Sequence, residues 1–309
     1  MKHFFLAILL IFGTPLLASA LEIGYSNVNP FTGRVDATEG LLLRGEIVPG
    51  DYAQLIQLVK RDSLRFWQAK GVILASQGGD IQEALRIARF VKGTYTMVWV
   101  GEALGPCVSA CFFIYSAAVR RDAGASTLGI HRPYLHPSRL KSMSAPEVEA
   151  TQKKVFQEAR RYLESQDVPT NLIDKMFQYA STDVYWLTRV EIEEQLGRSP
   201  PWYEQFLIAR CGFDKAIERK YWATQDKEAL KHLSSAHSCG DRLAAPDALA
   251  FLKSELNTVA TRKYIAPEVP KRSSATNANP GVSRKPDGAV KWEDLTPVNP
   301  TEQNSAVSK

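Results

Sequence analysis

The stretch Cys107-Val108-Ser109-Ala110-Cys111 follows a Gly105-Pro106 turn and runs into Phe112-Phe113. A serine hydroxyl attacks a carbonyl only if a base lies within hydrogen-bond reach and donors wait for the oxyanion. The chain holds suitable groups elsewhere. His131 ends "LGIH", shortly before Pro133, and Gly78-Gly79 follows "VILAS". Glycines lack a Cβ, so their N–H groups approach a ligand closely. The N–H groups near Gly79 and Ala110 are therefore candidate oxyanion donors. Each residue alone has a plainer reading. A serine at a helix start is usually a cap, a glycine pair after a strand is usually a turn, and a lone histidine is more often structural. The three gain meaning together, because each falls at or just beyond the end of a segment that reads as a strand.

Those segments alternate with helices. "LLLRGEIV" (Leu41 to Val48) reads as a strand ending at Pro49-Gly50, and "DYAQLIQLVKRD" carries Leu55, Ile56 and Val59 on one helical face. "GVILAS" (Gly71 to Ser76) is a continuous apolar run, as in a strand buried on both faces. "IQEALRIARFVK" has helical spacing, and Thr94 to Gly101 is β-branched and aromatic. Ser109 to about Ala118 reads as a helix, and Ser126 to Pro133 as a short strand. This alternation predicts an α/β layered fold with a largely parallel sheet, whose strand-end loops carry the chemistry. A helix starting at Ser109 would also favour developing negative charge at its N-terminus.

The compartment decides how the cysteines are read. Residues 1–20 combine Lys2 and His3, an apolar run from Phe4 to Phe12, and a small-x-small site at Ala18-Ser19-Ala20. This pattern is that of a cleaved secretory signal peptide, leaving a soluble chain that begins at Leu21 in a periplasm. In an oxidising compartment paired cysteines become disulfides. Cys107, Cys111, Cys211 and Cys239 allow three pairings, of which sequence proximity favours Cys107–Cys111 and Cys211–Cys239. Four residues of helix aim Cβ atoms poorly for a bridge, so the first pair requires Cys107 to stand outside the helix. Neither CxxC nor HxxxH spacing occurs, so no metal site is expected, and no cofactor is implied.

The net charge of +5 is spread along the chain, with no basic stripe interleaved with aromatics, so no nucleic-acid partner is expected. Residues from about Pro267 are poor in large apolar groups and read as a disordered tail. The expected organisation is a leader (1–20), an α/β domain (21–200), a helical C-terminal extension (201–260) and a tail (261–309).

"VILASQGGDIQEALRIARFVK", "VWVGEALGPCVSACFFIYSAA" and "LGIHRPY" resemble, in order and spacing, the Clp protease proteolytic subunit (ClpP). The resemblance covers about residues 40 to 197. It implies a crotonase/ClpP-like spiral of β-β-α units with a long protruding helix, and serine peptidase chemistry. By motif, Ser109 matches the nucleophile, His131 the general base, and Gly79 and Ala110 the oxyanion donors. "DVYWLTRVEIEEQLG" matches the segment of the acid, which makes Asp183 the third member, with Asp167 and Asp174 as fallback acids. The span Ser144 to Val168 matches the protruding helix. Its positions Val148, Val155, Ala159 and Leu163 need a cover, which the resemblance places between subunits of a homo-oligomer. Gln77 stands where the family has proline, the cysteines around Ser109 are foreign to cytosolic members, and the Gly197 end departs from the pattern.

The resulting expectation is an exported serine peptidase acting on peptides or unfolded proteins, without an ATPase partner. The alternative is a non-catalytic protein that keeps the fold as an assembly or binding scaffold. Acyl-CoA hydratase or isomerase chemistry on the same fold is disfavoured by export away from the CoA pool.

Overall fold

The computed structural model describes residues 20–135 and 140–261. The expected leader up to Ser19 and the expected tail beyond Thr261 lie outside the described residues. Within them the chain is a mixed α/β structure, and no helix is long and apolar enough to cross a membrane.

One sheet has the strand order β1-β2-β3-β4-β6: β1 (Glu22–Val28), β2 (Val35–Ile47), β3 (Val72–Gly79), β4 (Met97–Val100) and β6 (Arg120–Ala123). β1 runs antiparallel to β2, and the remaining pairs are parallel. A second sheet has the order β5-β7-β8: β5 (Cys107–Val108), β7 (Leu128–Ile130) and β8 (Tyr185–Trp186). β5 and β7 are parallel, and β8 returns antiparallel. The apolar run Val72 to Ala75 is buried throughout, as its composition predicts.

Helices α1 (Asp51–Arg61), α2 (Ser63–Gln68), α3 (Ile81–Gly93) and α4 (Cys111–Ser116) connect these strands. Leu55, Ile56 and Val59 of α1 and Ala84, Ile87, Ala88 and Val91 of α3 join Leu41, Leu43, Leu74 and Val98 in one core. Asp80 starts α3 by accepting Glu83 N at 2.9 Å.

α5 (Ala145–Ser165) begins with a capping box, in which Ser144 N donates to Glu147 Oε2 at 2.7 Å. Its Val155, Ala159 and Leu163 are buried within this chain, and Val148 is half-buried. The cover expected from a neighbouring subunit is thus supplied at three of the four positions by the chain itself. α6 (Thr170–Gln178) follows, and after β8 comes a π-helical turn, Glu191–Leu196. The C-terminal extension is α7 (Pro201–Cys211), α8 (Lys215–Thr224) and α9 (Lys227–Thr261), with a small core of Tyr203, Leu207, Phe213, Leu233 and Ala236 packed on Val119.

The charged strand β6 hides a buried cation. Arg121 is 1% exposed, and its guanidinium donates to Gly197 O and Ser116 O, each at 3.0 Å, and to Leu196 O. It closes the C-terminal ends of α4 and of the π-helical turn with one side chain. Arg121→Met fills much of the space but leaves those carbonyls without a donor. The expected cost is about 3 kcal/mol, read as a lower urea midpoint at unchanged slope; a midpoint equal to wild type would show that water replaces the guanidinium.

Candidate active site

Ser109 sits between β5 and α4, at a strand-to-helix turn. Its φ is 57°, in the left-handed region, whereas Ala110 has φ −59° and opens the helix. A non-glycine residue held there costs about 1 kcal/mol or more, and such a turn lifts a side chain out of the strand line. Ser109 N donates to Gly129 O at 2.9 Å, and Ser109 O accepts from Phe112 N at 3.0 Å. Ser109 is half-buried between the wholly buried Cys107 and Cys111, and its Oγ makes no hydrogen bond among the described residues. The expected helix from Ser109 to Ala118 is shorter, Cys111–Ser116, and starts later because Ser109 still donates to Gly129 O of the neighbouring strand and turns at φ 57°.

Cys107 therefore stands in a strand and Cys111 opens a helix. Their Cα atoms lie 5.3 Å apart with the sulfurs at disulfide distance. Cys211 at the end of α7 and Cys239 in α9 form the second such pair, with Cα atoms 5.6 Å apart.

Strand order brings the other residues to Ser109. His131 is the first residue after β7, the neighbour of β5. Ile130 lies opposite Tyr185 and Gly129 opposite Trp186, so the same register carries Arg132 opposite Asp183, just ahead of β8. Ser109, His131 and Asp183 thus occupy the same end of three adjacent strands, in that order across the sheet. β8 is fixed by the buried Glu191, whose carboxylate accepts from Lys175 Nζ at 2.6 Å, Tyr185 Oη at 3.0 Å and Thr188 N at 2.8 Å.

His131 is 7% exposed. Its Nδ1 lies 3.0 Å from Arg132 O. A carbonyl can only accept, so Nδ1 carries the proton and Nε2 keeps its lone pair, the tautomer a general base needs. Burial pushes the imidazole below its ordinary range, and the Arg132 carbonyl opposes that in part. Arg132 is itself held by its N–H to Tyr179 O at 3.0 Å. Asp183 is exposed, and no hydrogen bond joins it to His131 among the described residues. Asp174 pairs with Arg160 at 2.7 Å on the surface, and Asp167 is exposed in the turn after α5. The carbonyl partner of His131 is the element that sequence reading misses, since a backbone oxygen has no residue signature.

The glycine pair divides its work. Gly78 is buried, with φ 95°, and its N–H is held by Ser76 Oγ at 3.1 Å. A Cβ there would stand 2.7 Å from Ser109 Cβ and 2.9 Å from Ala110 N. Gly79 is exposed, with φ 139°, and a Cβ on it would overlap the Ile47 carbonyl. The pair lets the end of β3 lie directly against the Ser109 turn. No group of three or more His, Cys, Asp or Glu among the described residues is placed to hold a metal.

No protein-family model matches the chain, and no curated protein matches it. Among solved structures the chain is similar to a mutant of the 1510-N membrane-bound stomatin-specific protease, at 17% identity over 56% of this chain and 83% of that one, with a TM-score of 0.37. It is similar to a ClpP1 mutant from Listeria monocytogenes, at 22% identity over 51% of this chain and 86% of that one, with a TM-score of 0.34. It is also similar to human mitochondrial delta3-delta2-enoyl-CoA isomerase, at 11% identity over 72% of this chain and 88% of that one, with a TM-score of 0.30. Similarities this distant decide neither fold family nor activity.

Crowding and backbone strain at Gly78 are separable. Gly105 also has a positive φ, 116°, but open space where its Cβ would be. Gly105→Ala should lose only the left-handed preference, about 1 kcal/mol, whereas Gly78→Ala should lose 2 kcal/mol or more, roughly, because Ser109 must move as well. Urea unfolding of the two variants compares them, and equal losses would remove the close approach as the cause.

Proposed function

We propose that this protein is an exported serine peptidase of ClpP-like, crotonase-fold type that cleaves peptides or unfolded proteins without an ATPase. The observation that carries the reading is the placement of Ser109, His131 and Asp183 at one end of three adjacent strands, with the Ser109 turn pressed against Gly78. Two cysteine pairs at disulfide distance fit export to an oxidising compartment, the periplasm. A non-catalytic scaffold would not need Ser109, His131 and Asp183 gathered at one end of adjacent strands, so that alternative ranks second.

The mechanism follows from the groups present. Ser109 Oγ attacks the carbonyl carbon while His131 Nε2 takes its proton. The N–H groups of Gly79 and Ala110 receive the oxyanion, and His131 returns the proton to the leaving amine. Water then attacks the acyl-enzyme by the same route. Arg132 O holds the Nδ1 proton throughout, and the Asp183 carboxylate stabilises the imidazolium as it forms. No cofactor takes part in this scheme.

A fluorophosphonate probe tests the reading directly. Ser109 should be the labelled residue, and Ser109→Ala should end both labelling and turnover. His131→Ala should slow labelling by about 10³-fold or more. Asp183→Asn should cost less than about 100-fold, because the carbonyl keeps the tautomer without it. Labelling should fall as pH drops through a midpoint below 6.5, since protonation removes the base and burial lowers the pKa at which it happens. Turnover that survives Ser109→Ala ends the proposal.

Self-association belongs to the same proposal. Ile208 and Trp202 on α7 and Trp222 on α8 are exposed apolar side chains that an association could cover, at 50%, 37% and 42% exposed. Sedimentation at micromolar concentration should find more than a monomer; a single monomeric boundary would exclude it.

A further inference from the structure

We infer that closing the Cys107–Cys111 ring is the step that completes the nucleophile, so that the site becomes reactive only once the chain has been oxidised. The inference rests on the peptidase reading above and adds a condition to it.

Ser109 is the middle residue of the ring. On one side β5 is zipped to β7 through Cys107 N to Thr127 O and Ser109 N to Gly129 O, both at 2.9 Å. On the other side α4 begins, and Cys111 is its first residue. Between these anchors Ser109 must take a positive φ, which a serine does not prefer. Apart from the disulfide, the turn is held by the Ser109 N to Gly129 O bond on its strand side, by the local Phe112 N to Ser109 O bond and by the contact with Gly78. The Cα separation of 5.3 Å lies within the ordinary range for a bridge. With the bond closed, the strand end and the helix start keep their relative places, and the serine between them stays in the left-handed turn. With it open, Cys111 is free to shift along the helix start, and Ser109 relaxes toward an ordinary extended or helical conformation.

Burial sets how such a device works. Cys107 and Cys111 are both 0% exposed. A small thiol does not reach them in the folded chain, so the ring is a one-time step made during folding and not a reversible switch. Two thiols yield two protons and two electrons to a disulfide oxidant, which leaves as two thiols. A chain folded before such an oxidant is met carries an unfinished site.

The second bridge lies in the C-terminal helices and is removed first, in a Cys211→Ser/Cys239→Ser background. The exported chain is unfolded, reduced, and refolded either with oxidised glutathione or with a phosphine reductant. The oxidised product should take the fluorophosphonate probe at the wild-type rate. The reduced product should keep its helical circular dichroism but label 10- to 100-fold more slowly, roughly the penalty of a misplaced reacting group. Its pH midpoint should be unchanged, because His131 is untouched. Equal labelling of both products overturns the inference and leaves the peptidase reading intact. Wild-type protein with both bridges that does not label ends the reading and the inference together. If the reduced chain does not refold, Cys107→Ala/Cys111→Ala, folded in one step, answers the same question. Fast labelling of that variant would show that the bond is not needed to complete the site, and its failure to fold would show that the bond serves the whole fold instead; either outcome overturns the assignment.

Discussion

The approach of Gly78 to Ser109 is the constraint on which the site depends. Two sheets meet there. β3 belongs to the five-stranded sheet, with both faces buried, and β5 belongs to a three-stranded sheet whose strands are two or three residues long. Any side chain at residue 78 would hold the sheets apart by the width of a methyl group. The β2–β3 register shifts between Arg44 and Glu46, just before the glycine pair, and Ser76 Oγ then fixes the Gly78 amide. A rigid core strand is thereby aimed at a turn whose serine is held in the left-handed region. Strain persists only where surrounding structure over-determines it, and here a hydrogen-bonded strand, a close contact and a ring all bear on Ser109.

The electrostatics of His131 follow from what it touches. A carboxylate on Nδ1 would hold the imidazolium and raise its pKa. The backbone carbonyl of Arg132 fixes the same tautomer with far less charge stabilisation, so burial dominates and the imidazole stays neutral. In the proposed role His131 is therefore an available base that is weakly driven to accept a proton. Asp183 lies one strand away, exposed, and strand register sets it opposite Arg132. In the proposed mechanism a substrate that covers this edge would exclude water and strengthen the attraction between that carboxylate and a forming imidazolium.

Much of this was legible in the sequence, for identifiable reasons. β3, α1 and α3 announce themselves because continuous apolar runs and helical spacing reflect burial directly. Ser109, His131 and the glycine pair are legible because strand ends, turns and small residues leave compositional marks. β6 is not, since "RRDA" reads as solvated surface until Arg121 is seen to spend its charge on three carbonyls. β5 and β8 have too few residues for any periodicity to show. β1 is a half-exposed edge strand whose alternation, with Leu21, Ile23 and Tyr25 toward the core, is short and directly follows the expected apolar leader. The apolar stripe of α5 calls for a cover, but a stripe does not say whether the cover is the same chain or another. The Nδ1 partner of His131 is a main-chain oxygen, and no residue type encodes that.

Short strands do not hold a site together alone, and the three-stranded sheet is secured from a second direction. The chain leaves β8, forms the π-helical turn from Glu191 to Leu196, and reaches Gly197 in a left-handed conformation. There Arg121, reaching from the far edge of the five-stranded sheet, takes the Leu196 and Gly197 carbonyls, and Arg121 N donates to Arg198 O at 2.9 Å. Glu191 at the start of the same turn holds Tyr185 of β8. The segment that bears Asp183 is thus tied to the large sheet through Arg121 at one end of the turn, while the segment that bears Ser109 is tied to it through Gly78. A buried guanidinium that bonds only carbonyls is an expensive way to close helix ends, since desolvation is not offset by a partner charge. Its placement makes sense if what it secures is relative position: with both anchors in place, Ser109, His131 and Asp183 keep the order of their strands although none of those strands is long enough to fix it.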